Sequence, residues 1–309
     1  MDYGRPVEFG ISVVPSASEL DAIRTAVNTA ERSGLDLVGI QDHPYQWRFL
    51  DTWTLMAGLL AETQRIRLFA DVANLPMRPP AMLAKQAATL DVMSGGRFEL
   101  GLGAGGFWDA VAAMGGPRRT PGQAVEALEE VIAIIRQAWS GQRSVHFEGR
   151  HYSAHGYHPG PPPAHPIAVW IGAYRPRMLR IIGRLADGWI PSLGYVSLEQ
   201  IIEGNGMIDA AAVGAGREPS AIRRMVNVSG SIGPGSAGGA ISGRVDDWVE
   251  LLAGWVTDAG LDTFILWPTD PDPAQVESFG REIVPGVRAE VARRRGRRSE
   301  SQHGDDGPR

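Results

Sequence analysis

The sequence of 309 residues contains no cysteine. The chain therefore cannot form a disulfide, bind a metal through thiolates or use a cysteine nucleophile. It also lacks an apolar run of the ~18 residues that a membrane-spanning helix needs. The first residues, MDYGRPVEFGI, show neither the basic start nor the apolar stretch of a secretory signal. We therefore expect a cytoplasmic protein with no membrane partner.

A concentrated positive charge is also missing, since the formal net charge is -5 at pH 7. A general nucleic-acid binder would show a basic face, so no nucleic-acid partner is expected. One basic cluster, ARRRGRRSE, lies near the C-terminus and leaves a nucleic-acid arm open as an alternative. The sequence around it mixes charges of both signs and ends in SQHGDDGPR, so residues 291–309 are predicted to form a disordered tail.

Short apolar segments alternate along the chain with longer segments of helical period. The eight predicted strands are VEFGISVV, LDLVGIQ, RIRLFADV, RFELGLGA, IAVWIGA, GWIPS, RRMVNVSG and DTFILWP. Eight strands that each precede a helix, with right-handed crossovers, close into an α/β fold of the (β/α)8 or TIM barrel type. An open doubly wound sheet is the alternative, but it would have fewer strands and one dominant glycine fingerprint.

Residues 141–165 interrupt this alternation with GQRSVHFEGRHYSAHGYHPGPPPAH. They predict a small hairpin and a Pro/Gly-rich loop, inserted between the fourth helix and the fifth strand. Four of the five histidines in this segment, His151, His155, His158 and His165, leave a metal site open, but a solvated loop is favoured and no metal is predicted. Because no linker separates a second unit, residues 1–290 are predicted to form a single domain.

Polar side chains follow the predicted second and third strands. Asp42, His43 and Trp47 come after the second strand, and Asp71 and Asn74 come after the third. In a barrel the loops at the carboxyl ends of the strands build the active site. These residues are therefore candidate site residues, although capping acids and turn asparagines are the alternative interpretation.

Small residues follow the fourth predicted strand, in the run LGLGAGGFWDAVAAMGG at residues 100–116. The glycines at positions 101, 103, 105 and 106 let the backbone come close to something flat or anionic, and the helix that follows offers unpaired N–H groups. The run fits no phosphate-loop pattern, because no Lys-Ser/Thr follows it. Taken alone, it could also make an ordinary tight turn.

The fifth predicted strand ends in Gly172 and Ala173, and a helix begins directly after Arg175 and Pro176. A helix N-terminus beside an arginine suits a phosphate group. A structural proline at the first helical position and a structural arginine remain the alternative.

Taken together, these segments resemble the luciferase-like monooxygenase superfamily of flavin- and deazaflavin-dependent barrels. The resemblance covers roughly residues 7–285. It depends on DHPYQW, on RIRLFADVANLPMRPPAMLAKQAATLDVMSGGRFELGLGAGGFWDAVAAMGG and on PIAVWIGAYRPRMLRIIGRLADGWIPS. An Asp-His pair with Trp five residues after the Asp is similar to the branch that uses the deazaflavin coenzyme F420.

The resemblance implies roles for these residues. His43 would be the acid/base or electrostatic partner at the site of hydride transfer, Trp47 would wall the pocket, and Asp42 would hydrogen-bond the deazaflavin or orient His43. A non-prolyl cis peptide would join Asp71 and Val72 behind the ring. The remaining cofactor-binding residues implied are Asn74, Gly103, Ala104 and Gly105 beside the ring, and Gly172, Ala173, Arg175 and Pro176 near the phosphate.

One position departs from the sugar-phosphate dehydrogenases of this branch. They place a glutamate directly after the fourth-strand glycines, whereas this chain has Gly106 there, followed by Phe107 and Trp108. An aromatic pocket in place of a carboxylate favours an apolar or aromatic substrate over glucose 6-phosphate.

The leading hypothesis is a coenzyme F420-dependent oxidoreductase that moves a hydride to or from a small apolar or aromatic molecule. A monooxygenase that uses flavin mononucleotide (FMN) is the first alternative, and a non-catalytic cofactor-binding barrel is the second. The resemblance also implies a homodimer that is paired through the second and third helices.

Overall fold

The computed structural model describes residues 1–233, 241–269 and 272–303, with the side chains of the last helix described as far as residue 297. Eight parallel strands close a barrel, in which the eighth strand pairs with the first and the sixth pairs with the seventh. The strands are β1 Glu8–Val13, β2 Leu37–Ile40, β3 Arg67–Ala70, β4 Phe98–Gly103, β5 Val169–Gly172, β6 Gly188–Trp189, β7 Arg223–Ile232 and β8 Thr263–Pro268. The predicted (β/α)8 barrel is confirmed.

Helices follow the strands around the outside of the barrel. They are α1 Leu20–Arg32, α2 Thr52–Glu62, α3 Pro80–Ser94, α4 Trp108–Ala113, α5 Pro121–Trp139, α6 Pro176–Leu185, α7 Leu198–Gly214, α8 Val245–Ala259, α9 Pro273–Ser278 and α10 Val284–His303. Helix starts carry the side chains that cap free N–H groups: Asp51 accepts from the Thr54 N–H, and Thr120 and Ser197 form capping boxes. Short strands at Ala73–Asn74 and Ile241–Gly243 extend the sheet.

The strands bury apolar side chains on both faces, as parallel strands between a barrel interior and a ring of helices do. In β3, for example, Leu68 packs in the outer core while Phe69 belongs to the cluster inside the barrel. That inner cluster consists of Leu37, Phe69, Trp170, Ile190, Met225 and Ile265. It fills the barrel, so ligands can enter only above it, at the carboxyl ends of the strands.

The predicted insertion is a two-stranded antiparallel hairpin, Val145–Glu148 and Ser153–Tyr157. Its turn is fixed to α5 because the Glu130 carboxylate accepts from the backbone N–H groups of residues 150–152. The loop that follows is tied to α3, where the Lys85 ammonium donates to the carbonyl of Gly160 over 2.8 Å.

The C-terminal segment differs from the prediction of a disordered tail from residue 291. Helix α10 continues to His303, and residues 304–309 lie outside the described residues. Arg293 and Arg294 pair with Glu290 one turn earlier, and Arg295 pairs with Asp2. These ion pairs favour a helix in a sequence whose composition alone predicted none. Among the described residues, no helix is both long and apolar enough to cross a membrane.

Candidate active site

A cavity of about 470 Å³ opens at the carboxyl ends of the barrel strands. Residues that follow β2 to β6, together with residues of β7 and β8, line it. Most predicted site residues meet there: Asp42, His43, Asp71, Val72, Asn74, Gly103, Ala104, Gly105, Gly172, Ala173 and Arg175. The second-strand, third-strand and glycine motifs therefore belong to one site.

Asp42 is buried beneath the cavity wall and is already paired. Arg78 donates to both carboxylate oxygens, from Nε to Oδ2 at 2.9 Å and from an Nη to Oδ1 at 2.7 Å. The backbone N–H of Asn74 also donates to Oδ2 over 2.9 Å. The carboxylate therefore joins the loop after β2 to the loop after β3. Neither of its oxygens is bonded to His43.

His43 is half-buried in the cavity wall and contacts two aromatic rings. Its Nδ1 lies 2.7 Å from the hydroxyl of Tyr45, and its ring meets Phe107 edge-on at 5.8 Å. Burial lowers the pKa of His43, and the nearby Asp42 carboxylate opposes that effect. The imidazole is therefore neutral at neutral pH. Its Nδ1 is bonded to Tyr45, and its Nε2 has no hydrogen-bond partner among the residues that the structure describes.

The surroundings of the Asp71 carboxyl group stabilise a negative charge only weakly. Asn227 donates to Oδ1 over 3.3 Å, while Oδ2 is buried and has no hydrogen-bond partner among the described residues. Burial raises the pKa of Asp71 to about 7, and the hydrogen bond from Asn227 lowers it in part. The peptide bond between Asp71 and Val72 is cis, as the family resemblance implied.

Glycine makes one wall of the cavity possible. The Val72 side chain lies against the backbone of β4 and β5, so a Cβ on Gly103 would stand 2.8 Å from Val72 Cγ2. At Gly105 the backbone has a φ of 107°, which disfavours any side chain, and a Cβ would stand 2.4 Å from Pro76. The result is a flat wall of backbone and small side chains.

The rim on the β5 side is basic. Arg175 is the N-cap residue of α6, and no side chain caps that helix N-terminus. The Arg175 side chain is exposed, and among the described residues it has no acidic partner. Pro176 is the first residue of the helix and lies outside the cavity lining. An anionic group would be stabilised here by the guanidinium and by the free N–H groups of the first helical turn.

Trp47 does not line the cavity. It is 84% exposed, and the guanidinium of Arg48 stacks on it at 4.8 Å from the ring centroid. The turn after His43 explains this position, because Gln46 N–H donates to the His43 carbonyl and Phe49 N–H donates to the Gln46 carbonyl. The structure thus separates Trp47 from His43, which the sequence interpretation had placed together.

Several lining residues were not predicted from the sequence. They are Tyr45, Tyr174, Tyr195, Asn227 and Trp267. Asn227 could have been found, because it is an isolated amide within the apolar strand RRMVNVSG, and Trp267 because it ends a strand. The tyrosines lie in loops, and loop residues have no periodic pattern that would indicate their direction.

The histidines in and near the insertion do not converge. His151 contacts Glu126, His158 contacts the carbonyl of Arg143, and His165 contacts Asp91. Among the side chains that the structure describes, no group of three or more metal-ligating residues is present.

Comparison with protein families adds a direct match. The family model of the luciferase-like monooxygenases matches residues 2–237. Among individual relatives, the F420-dependent glucose-6-phosphate dehydrogenase of Kineococcus radiotolerans is 30% identical over 200 residues, which cover 62% of this chain and 58% of that enzyme. The corresponding enzyme of Intrasporangium calvum is 34% identical, over 53% of this chain and 52% of its own length. The matched region thus spans little more than half the length of these relatives.

Another relative aligns over nearly its whole length. The F420-dependent hydroxymycolic acid dehydrogenase of Mycobacterium tuberculosis is 25% identical, over 92% of this chain and 89% of that protein.

Solved structures share the fold at lower identity. An F420-dependent secondary alcohol dehydrogenase in complex with an F420-acetone adduct superposes with a TM-score of 0.82 at 17% identity, covering 92% of this chain and 99% of that one. The F420-dependent tetrahydromethanopterin reductase of Methanopyrus kandleri gives a TM-score of 0.79 at 20% identity, covering 92% and 100%.

The family match covers well over half of the chain, and the Asp71–Val72 peptide bond is cis, as the resemblance implied. The chain belongs to the luciferase-like monooxygenase family.

Proposed function

We propose that this protein is an enzyme that uses coenzyme F420 to transfer a hydride to or from a small organic molecule. One observation carries the proposal: the same cavity is lined by a flat glycine wall, a half-buried histidine and an arginine at a helix N-terminus that has no acidic partner in the described part of the chain. The relatives named F420-dependent dehydrogenases support the choice of cofactor over FMN.

The residues of the cavity fit a flat, polar heterocycle with a phosphate tail. Four buried polar atoms around it have no hydrogen-bond partner among the described residues: Oδ2 of Asp71, Oδ1 of Asn74, Oδ1 of Asn227 and Nε1 of Trp267. A heterocycle with both donors and acceptors would satisfy such a mixed set. Gly103 and Val72 would provide the flat wall, and Arg175 with the start of α6 would bind the phosphate.

When bound, the deazaflavin supplies the hydride chemistry, and the protein supplies binding, orientation and a proton. His43 is the side chain placed to hold or move that proton, because it is neutral at neutral pH and one of its nitrogens is available. Asp42 has an indirect, positioning role in this scheme. It fixes the loop that carries His43, through Arg78 and Asn74.

The substrate that we propose is apolar or aromatic. Aromatic rings stand around the entrance: Tyr45, Phe107, Tyr174 and Tyr195 line it, and the last two stack with their centroids 5.8 Å apart. Gly106 leaves open space where a side chain would otherwise project, since a Cβ there would meet nothing within 4 Å. An aromatic rim favours rings and apolar groups over a sugar phosphate.

Titration of the purified protein with F420 and with FMN tests the proposal, and tryptophan fluorescence, to which Trp267 in the cavity wall contributes, provides the signal. We expect F420 to bind in the micromolar range or tighter, about -8 kcal/mol. Tighter binding of FMN would favour the monooxygenase alternative. Tight binding of F420 without hydride transfer to any aromatic or aliphatic carbonyl compound would favour the non-catalytic alternative.

We further propose a cytoplasmic homodimer that is paired through α2 and α3. Three apolar side chains of α3 support the pairing, because Met82, Val92 and Met93 are 51%, 45% and 69% exposed. Light scattering of the purified protein and of Met93→Glu tests it, and an unchanged monomer in both would contradict it.

A further inference from the structure

Tyr45 is held against His43 by contacts on two sides. Its hydroxyl lies 2.7 Å from Nδ1 of His43, and the two ring centroids are 5.6 Å apart. Phe107 contacts both rings, at 5.8 Å from His43 and 5.7 Å from Tyr45. The three rings therefore fix one another, and the imidazole cannot rotate without losing the hydrogen bond and a ring contact.

The position of the protons follows from the surroundings of both groups. Burial raises the pKa of Tyr45 to about 12, and the Asp42 carboxylate adds to the effect, so the phenol keeps its proton at neutral pH. The neutral imidazole of His43 carries one N–H. Within the described part of the chain, Nδ1 of His43 is the sole hydrogen-bond partner of the Tyr45 hydroxyl. Donation from Tyr45 to Nδ1 satisfies this hydroxyl and leaves the imidazole proton on Nε2.

We propose that Tyr45 is a positioning residue that fixes the tautomer of His43 and relays protons between His43 and solvent. The inference rests on the proposed function and makes its substrate class more specific. A proton relay serves a substrate whose reacting oxygen gains or loses a proton, which means a carbonyl compound and the corresponding alcohol. Tyr45 is suited to the relay because it is only partly buried, so its hydroxyl can exchange protons with water.

The proposed step balances in both directions. In reduction, the carbonyl carbon accepts the hydride from the reduced cofactor, and the carbonyl oxygen accepts the proton from Nε2 of His43. Nδ1 then accepts the hydroxyl proton of Tyr45, and water replaces that proton. Oxidation starts from the state that reduction leaves, in which His43 carries its proton on Nδ1. Nε2 then accepts the hydroxyl proton of the alcohol, Nδ1 returns its proton to Tyr45, Tyr45 releases one to water, and the alcohol carbon gives up the hydride.

The first test needs neither cofactor nor substrate. Tyr45→Phe keeps the ring contacts and removes only the hydroxyl, and nitrogen NMR of histidine-labelled protein reports the tautomer of His43. We expect a single tautomer protonated at Nε2 in the wild type and a mixture of tautomers in Tyr45→Phe. Tyr152→Phe is the matched control, because that ring lies in the inserted hairpin, against Arg119 and outside the cavity. An Nδ1-protonated wild type, or the same tautomer in Tyr45→Phe, would overturn the inference.

The second test is single-turnover reduction of benzaldehyde by the protein loaded with reduced F420. We expect Tyr45→Phe to slow hydride transfer about 10- to 100-fold, a part of the ~10²–10⁴ that a positioned acid or base supplies. The affinity for F420 should stay within about twofold, and the solvent deuterium isotope effect should increase. Full speed and an unchanged isotope effect in Tyr45→Phe would exclude the relay. If the wild type neither binds F420 nor transfers a hydride, the proposed function fails, and the NMR test still decides the role of Tyr45.

Discussion

The side-chain amide of Asn227, on β7, donates to Oδ1 of Asp71, just beyond β3, over 3.3 Å. The same amide also donates to the hydroxyl of Ser192 over 3.1 Å. The next residue, Val72, packs against the apolar cluster inside the barrel. A carboxyl group in this position, with one long hydrogen bond and no ion pair to any residue that the structure describes, is more stable when it is protonated.

The free energy of unfolding of the cofactor-free protein should therefore decrease as the pH rises, and deprotonation of Asp71 should cause that decrease. Its folded pKa is raised from 3.8 to about 7, so between these values the folded state holds a proton that the unfolded state has lost. Each pH unit in that window should cost the wild type up to about 1.4 kcal/mol relative to Asp71→Asn. Urea unfolding of both proteins at pH 5 and pH 8 measures the effect. A stability difference that is the same at both pH values would contradict the prediction.

Loss of Arg78 should destabilise the fold strongly, because the Asp42 carboxylate would remain buried without its cation. We expect Arg78→Met to lower the free energy of unfolding by about 3–5 kcal/mol, the usual result of breaking a buried ion pair. Arg118→Met is the control, since its pair with Asp109 is exposed and should contribute less than about 1 kcal/mol. Equal effects of the two substitutions in chemical denaturation would show that the Arg78–Asp42 pair contributes no more to stability than an exposed ion pair.

Arg175→Ala should weaken binding of F420 by about 1.5–3 kcal/mol, the value of a charge-assisted hydrogen bond. Arg177→Ala is a matched control on the same helix, because Arg177 faces Glu126 and does not line the cavity. Fluorescence titration measures both variants. Equal affinities for wild type and Arg175→Ala would return Arg175 and Pro176 to a purely structural role.

His43→Ala should leave the fold and the affinity for F420 nearly intact while slowing turnover about 10²–10⁴-fold. One limb of the pH–rate profile should disappear with the imidazole. Because burial lowers the pKa of His43, that limb should lie below the ordinary histidine value of 6.5. A thermal melt and a single-turnover assay on the same sample distinguish a catalytic role of His43 from a structural one. A lower melting temperature with normal turnover would make His43 a structural residue of the turn.

Trp47→Ala should change the free energy of unfolding by no more than about 0.5 kcal/mol, as expected for a surface position. Its 84% exposure also predicts an affinity for F420 within about twofold of the wild type. The resemblance to the F420 branch implies the opposite, namely that Trp47→Ala would lose both cofactor binding and turnover. A clear loss of affinity in Trp47→Ala would restore that interpretation.

The fold was predictable because the barrel strands are short apolar runs between helices of regular period, and all eight appear where the sequence placed them. The strand ends also predicted most of the cavity lining, since the carboxyl ends of barrel strands meet on one face.

Ion pairs between distant residues and the orientation of loop side chains could not be predicted from the sequence. Arg78 reaches Asp42 across 36 residues only because the 3₁₀ turn Leu75–Met77 brings it back. Trp47 points outward because of two hydrogen bonds in its turn. The end of α10 was misjudged because composition does not show that its arginines pair with Glu290 and Asp2.

Lys85 is the only lysine in the chain, and it joins α3 to the loop after the inserted hairpin through the carbonyl of Gly160. An amine-reactive dye therefore has one side-chain target in a protein that offers no thiol. The dye would attach at the seam between the barrel and its insertion, on an exposed residue. Its emission would report changes in the surroundings of that seam while the cavity fills, without any engineered labelling site.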